Sequence, residues 1–112
     1  MSMAYDYKSV NAALSTTQDT AIYTAPVGKT AIVLLCQVSN VDGTNAADLN
    51  MDYYDSSATS AKALASTINI PADSSFNPIG GKLVLEASDE LRAWTLVAAD
   101  DLEIVISVVE IS

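Results

Sequence analysis

The stretch TAIYTAPVGKTAIVLLCQVSN, Thr20 to Asn40, decides the fold class. It reads as two apolar strands joined by a tight turn, in which Pro26 fixes φ and Gly28 relieves the steric cost of reversing the chain two residues later. Asp19 to Thr24 and Thr30 to Asn40 are expected to form an opening hairpin. Beyond the turn, Ala31, Val33 and Leu35 alternate with Ile32, Leu34 and Cys36, so neither face of that strand is ready for water. One face can line a sandwich core. The other must meet a second sheet edge, a loop or another subunit.

Outward from this stretch, turn signals recur every eight to twelve residues or so, and helical periodicity is weak. Val10 to Leu14 can form a first short strand, after an arm over residues 1–8 whose large anchors are Tyr5 and Tyr7. Asp42-Gly43 marks a second turn, followed by a strand with Leu49, Met51 and Tyr53 on one side and Asn50, Asp52 and Tyr54 on the other. After the polar loop Asp55 to Ser60, Ala63 to Ile70 leads into PADSSFNP, bracketed by Pro71 and Pro78 and expected to cross between sheets. Lys82 to Glu86, Leu91 to Ala98 and Leu102 to Ile111, with turns at Ala87 to Asp89 and at Asp100-Asp101, read as a three-stranded meander. The expected fold is all-β, an antiparallel β-sandwich, jelly-roll-like, of about eight strands spanning residues 9–112.

Composition agrees. Half of the 112 residues are hydrophobic yet only 6% are aromatic, which places the apolar content in small and β-branched side chains suited to packed strands. A chain of this length buries roughly 65% of its unfolded surface without metal or disulfide support. Fourteen acidic residues against five basic ones give a formal charge of −9, a surface that repels phosphate, so nucleic acid and anionic membranes are poor partners. No leader pattern precedes the domain and no run of about 18 apolar residues occurs, so a soluble chain is expected. Cys36, the single cysteine, reads as a buried, inert thiol.

Catalytic chemistry finds little to use. Without histidine, the Ser-His-Asp and Cys-His arrangements and the commonest zinc sites are excluded. Carboxylate pairs can be drawn from Asp52 with Asp55 or Glu86 with Glu90, but a small sandwich offers no evident sugar cleft. The GKT at Gly28 to Thr30 lacks the upstream glycine of a phosphate loop. Asn40, Asp42, Asn45 and Asp48 surround Gly43 with oxygens, but they lack the alternating acids and closing glutamate of a calcium loop and read better as turn formers. No enzyme activity, small-molecule substrate or cofactor is expected.

The final strand repeats the two-faced pattern of the opening. Leu102, Ile104, Ile106 and Val108 share one side, while Val105, Val109 and Ile111 share the other. A subunit interface accounts for the outward set, unless the N-terminal arm or the Pro71 to Pro78 loop covers it. Trp94 shares a face with Arg92 and Leu96, and suits either an interface anchor or a core tryptophan with Arg92 at the rim. Interface candidates are therefore Tyr5, Tyr7, Lys8, Arg92, Trp94, Val105, Val109 and Ile111.

The combination of YTAPVGKTAIV (Tyr23 to Val33), NVDGTNAADLNM (Asn40 to Met51) and GGKLVLEASDELRAW (Gly80 to Trp94) with a closing strand ending VVEIS resembles small structural proteins of tailed bacteriophage virions. Leu83, Leu85, Asp89 and Leu91 stand at the L-x-L-x-x-x-D-x-L positions of that family, and the resemblance covers roughly residues 19–112. It implies a capsid decoration or cement protein on the virion exterior, assembled in the host cytoplasm, that binds itself as a homotrimer and binds the major capsid protein or other virion proteins. Neck, tail and fibre components are alternatives within the same class. A carbohydrate-binding module is an alternative outside it.

Overall fold

The computed structural model describes residues 4–97 and 100–112. The described chain forms β1 (Tyr5–Ala13), β2 (Ala21–Thr24), β3 (Thr30–Asn40), β4 (Ala47–Asp55), β5 (Ser60–Ile70), β6 (Ser75–Phe76), β7 (Leu83–Leu85), β8 (Glu90–Thr95) and β9 (Leu102–Ile111). There is no helix among the described residues. One sheet has the order β1-β9-β3-β6, with β7 also on β3, and the other has the order β2-β8-β4-β5, all pairs antiparallel.

This is a jelly roll. β6 pairs with Val38 and Ser39, and β7 pairs with Ala31 to Val33, so the two short strands occupy the two ends of a single flanking position. Counting that position once gives eight, the number expected. Each sheet then joins strands distant in sequence, as two interlocked Greek keys require.

Two sequence expectations are corrected by this order. β2 and β3 do not form a hairpin, because β2 pairs with β8 in one sheet and β3 with β9 in the other. The turn between them is as expected: the Lys29 N–H donates to the Pro26 carbonyl at 3.2 Å, and Gly28 has a φ of 79°. It joins the layers instead of two neighbours. The meander is corrected likewise, since β7 and β9 lie in one sheet and β8 in the other. β8 ends at Thr95, and Ala98 lies outside the described residues. Among the described residues, β4 and β5 are the only consecutive strands that pair directly. The Pro71 to Pro78 segment crosses between sheets as expected, carrying the chain from β5 to β6.

The N-terminal arm also needs correction from Tyr5 onward. Tyr5 to Lys8 are the first half of β1, in unbroken register with β9 from Tyr5↔Ile111 to Ala13↔Glu103. The mixed polar sequence hid this, because β1 lies at a sheet edge where apolar content is not required.

The core lies between the sheets. Leu102, Ile104, Ile106 and Val108 point into it from β9, Ala31, Val33, Cys36 and Val38 from β3, and Leu49, Met51, Leu91 and Ala93 from the opposite sheet, all fully buried. In β3 the inward parity shifts at Leu34-Leu35, where the register with β9 slips and both leucines are exposed. This is a bulge: two residues oppose one, so Cys36 turns inward where strict alternation from Val33 would have placed Leu35.

Candidate assembly surface

The strand register fixes which side chains share the outer face of the β1-β9-β3 sheet. Tyr7 lies opposite Val109, Val109 opposite Ile32, and Ile32 opposite Val84. Four apolar residues therefore form one row across four strands. Its ends are exposed, Tyr7 by 76% and Val84 by 52%, while Val109 between them is buried. Tyr5 and Ile111 form the next pair towards the sheet end. Beyond a Ser9 to Ser107 hydroxyl bond of 2.9 Å, the face continues with exposed Leu34, Leu35 and Val105.

Five of the eight interface candidates, Tyr5, Tyr7, Val105, Val109 and Ile111, are thus brought together on one face. The sequence list lacked Ile32, Leu34, Leu35 and Val84, although the two-sided apolar pattern of β3 was a signal for the first three. Val84 carried no such signal, because its exposure follows from β7 pairing beside Ile32.

Lys8 has the opposite orientation on β1 and serves the inside of the sandwich end. Its ammonium lies 2.9 Å from a Glu110 carboxylate oxygen, and the Tyr23 hydroxyl donates to the other oxygen at 2.6 Å. Lys29 approaches at 4.0 Å. Glu110 is only 2% exposed, and the Tyr23 hydroxyl and the Lys8 ammonium hold its carboxyl below the ordinary range despite that burial. Asp89 forms a second buried anchor at this end. It accepts the Ser56 and Glu86 N–H groups and the Tyr53 and Ser56 hydroxyls, at 2.9 to 3.1 Å. Burial opposes its charge, but the donors from Ser56, Tyr53 and Glu86 prevail and its carboxyl titrates low. A shallow depression beside it is lined by Gly28, Lys29, Ser56, Ser57 and Glu86.

Arg92 and Trp94 lie on the outer face of the other sheet. Leu91, Ala93 and Thr95 take the core side of β8, so Trp94 is half-buried outside and is not a core tryptophan. Arg92 is held by Glu90 at 2.8 Å and by Asp19 at 3.7 Å, and its guanidinium stacks 3.9 Å from the centre of the Tyr54 ring. Asp52 pairs opposite Arg92 across β4 and β8. Burial and Asp19 push its carboxyl up against the opposing pull of Arg92. This face is a charged network, unlike the apolar one.

The remaining oxygen-rich groups are taken up by turns, a cross-strand contact and an ion pair. The Asn40 side-chain amide donates to the carbonyls of Asn45 and Ile70, while Asp42 accepts the N–H groups of Thr44 and Asn45, which lower its carboxyl. Asp48 accepts from Asn69. Asp55 accepts the Ser57 N–H, and Glu90 is occupied by Arg92. Among the described residues, no group of three or more His, Cys, Asp or Glu is placed to hold a metal ion.

Comparison with known proteins bears on the fold. No protein-family model matches the chain. No curated protein matches it either. Solved structures do. A chain of the disulfide-linked pili that form Bacillus endospore appendages is similar with a TM-score of 0.56 and 15% identity, covering 96% of this chain and 86% of that one. A chain of infectious bursal disease virus, Gx strain, is similar with a TM-score of 0.53 and 10% identity over 96% of this chain. The present chain spans about a third (32%) of that viral chain. A pentameric capsid protein from metagenomic phage sequences aligns at a TM-score of 0.45 and 19% identity, over 90% of this chain and 60% of that one. At these identities the likeness is one of fold.

Proposed function

We propose that this protein is a non-enzymatic virion structural protein that acts by binding copies of itself and neighbouring coat subunits, as a capsid decoration or cement protein. The observation carrying the reading is the set of exposed apolar residues Tyr7, Val84, Leu34, Leu35 and Val105 on one outer sheet face, with Ile32 and the buried Val109 joining Tyr7 to Val84. Contiguous exposed apolar surface of this kind marks an interaction site. Each 100 Å² of it removed from water contributes about 2.5 kcal/mol before the costs of association, and a lattice repeats the contact many times. The pilus and virus chains that share the fold support a structural role. The order implied by the phage resemblance is three copies.

Two features weigh against the alternatives. The carboxylate pairs considered for hydrolysis are committed, Asp55 to its turn and Glu90 to Arg92. For a carbohydrate module, which would stack exposed rings such as Tyr53 or Tyr54 on a sugar, one face of the Tyr54 ring is taken by Arg92. A neck, tail or fibre location differs from decoration in copy number per particle, few against hundreds.

The test is a pair of lysine substitutions on the row and its extension, Val84→Lys with Val105→Lys, followed by sedimentation. Loss of self-association with unchanged unfolding supports the reading, and unchanged association removes this face from it.

A further inference from the structure

The strand register sorts charge between the two outer sheet faces. Outward on β4 and β8 lie Asp48, Asp52, Glu90 and Arg92. Outward on the strands of the other sheet, among the described residues, Glu103 near the start of β9 is the only side chain with a formal charge. The other charged residues of β1 and β9, Asp6, Lys8 and Glu110, have the opposite parity. A chain of net charge −9 therefore keeps one sheet face both apolar and nearly neutral.

We propose that this face packs against the same face of a second copy, the two sheets stacked about a two-fold axis that runs along the strands between β9 and β3. The stacking rests on the self-association proposed above and specifies its surface and geometry. Two copies of an acidic chain repel wherever carboxylates face each other, and this is the outer face that avoids it. A charged partner, by contrast, finds almost nothing here to complement. The area also suits a pair. Ten residues of β9 and four strand positions across give a face of roughly 600 Å² per copy, at about 3.4 Å per residue and 4.8 Å per strand. Covering it on both copies removes roughly 1,200 Å² from water, the lower end for a specific contact between folded chains.

The sequence of the rows selects the axis. Rotation about a line between β9 and β3 lays each row over its own copy in reverse order, so Tyr7 lies over Val84 of the second copy and Val109 over Ile32. Large then meets small at both ends of the apolar row, as side chains between sheets about 10 Å apart require. Glu103 lies over Ser39. An axis across the strands sets every strand over itself. Placed at the apolar row, it puts Tyr7 on Tyr7 and leaves the Glu103 end uncovered. Centred at Ser107, it puts Tyr7 over Asn11 and Glu103 over Ile111, apolar against polar. A two-fold pair closes with two copies, so any larger assembly builds on other surfaces.

Charge complementation between separate chains tests the geometry. Tyr7→Lys and Val84→Asp are made singly, and because both positions are exposed each variant is expected to keep the parent's unfolding curve. Each alone should self-associate at least tenfold more weakly in sedimentation at physiological salt, since its new charge is buried against an apolar neighbour. Mixed one to one, the two should regain at least tenfold, because the introduced ammonium of one chain meets the introduced carboxylate of the other while the second Tyr7 to Val84 contact is unaltered. A mixture of Tyr7→Lys with Val84→Lys should stay apart. Single variants that weaken but do not recover on mixing overturn the reversed stacking and leave the face as a contact. Single variants that associate as the parent does overturn the stacking and remove this face, with self-association standing on the parent's mass. A parent of one subunit's mass overturns self-association itself.

Discussion

The Tyr23 hydroxyl and the Glu110 carboxylate, 87 positions apart in sequence, meet at 2.6 Å across the end of the sandwich and tie β2 of one sheet to β9 of the other. A buried carboxylate in a largely apolar strand is a cost unless its oxygens are satisfied, and here one takes a hydroxyl and the other two ammonium groups. Removing the hydroxyl, as in Tyr23→Phe, is predicted to lower unfolding free energy by about 1.5 to 3 kcal/mol, read from urea denaturation.

Acid should act through the same group. The Glu110 carboxyl titrates below its ordinary 4.5 because the Tyr23 hydroxyl and Lys8 favour its charged form. A group whose folded value is depressed contributes stability above its unfolded value, and that contribution fades as pH falls through the folded one. The unfolding curve should therefore hold level above pH about 5 and decline below about 4.5, with a shallower decline in Glu110→Gln. An equally steep decline in that variant would assign acid sensitivity to other carboxylates.

Asp89 predicts a larger local effect. Asp89→Ala leaves the Ser56 and Glu86 N–H groups and the Tyr53 hydroxyl without their acceptor, and a loss of about 2 to 4 kcal/mol is expected from several buried donors together. At the alkaline end, burial and then Asp89 push the Tyr53 hydroxyl up to about 12. Its contribution is complete below its ordinary value of 10 and is lost as pH rises through 12, so Tyr53→Phe should show a shallower alkaline decline than the parent.

How much of this was legible in the sequence depends on which physical constraint spoke. Alternation placed the inward residues of β9 correctly, because a two-residue period is written in the side chains themselves. The Pro26 to Lys29 turn was legible for the same local reason. What the turn connects was not. A five-residue connection reaches a neighbouring strand about 4.8 Å away or the opposite sheet about 10 Å away equally well, and only the long-range pairing of β2 with β8 chooses. Glu110 and Asp89 went unread as anchors because their partners, Tyr23 and Tyr53, are distant in sequence. On the candidate surface, the outward parity of Val105, Val109 and Ile111 was legible, but their alignment with Tyr7 and Val84 needed the register.

Cys36 provides a check on the core. Buried beside Met51, with its sulfur 3.9 Å from the thioether, it has its thiol pushed up to about 12 by burial. A disulfide-exchange reagent at pH 8 should modify it only after denaturation. Stoichiometric reaction in the native protein would contradict the assigned bulge at Leu34-Leu35, which turns this residue inward.

Surface substitutions on the row should separate association from folding. Val84→Lys is predicted to change unfolding free energy by no more than about 0.5 kcal/mol, since Val84 is half exposed, while weakening self-association roughly tenfold or more. Parallel urea denaturation and sedimentation measure both.

The central claim is that this jelly roll associates with copies of itself, and its solution mass by light scattering across a concentration series tests that most directly. The account predicts a mass that climbs from 11.7 kDa to at least twice that value, three copies being the order the phage resemblance implies. A single species of 11.7 kDa at every concentration would contradict it.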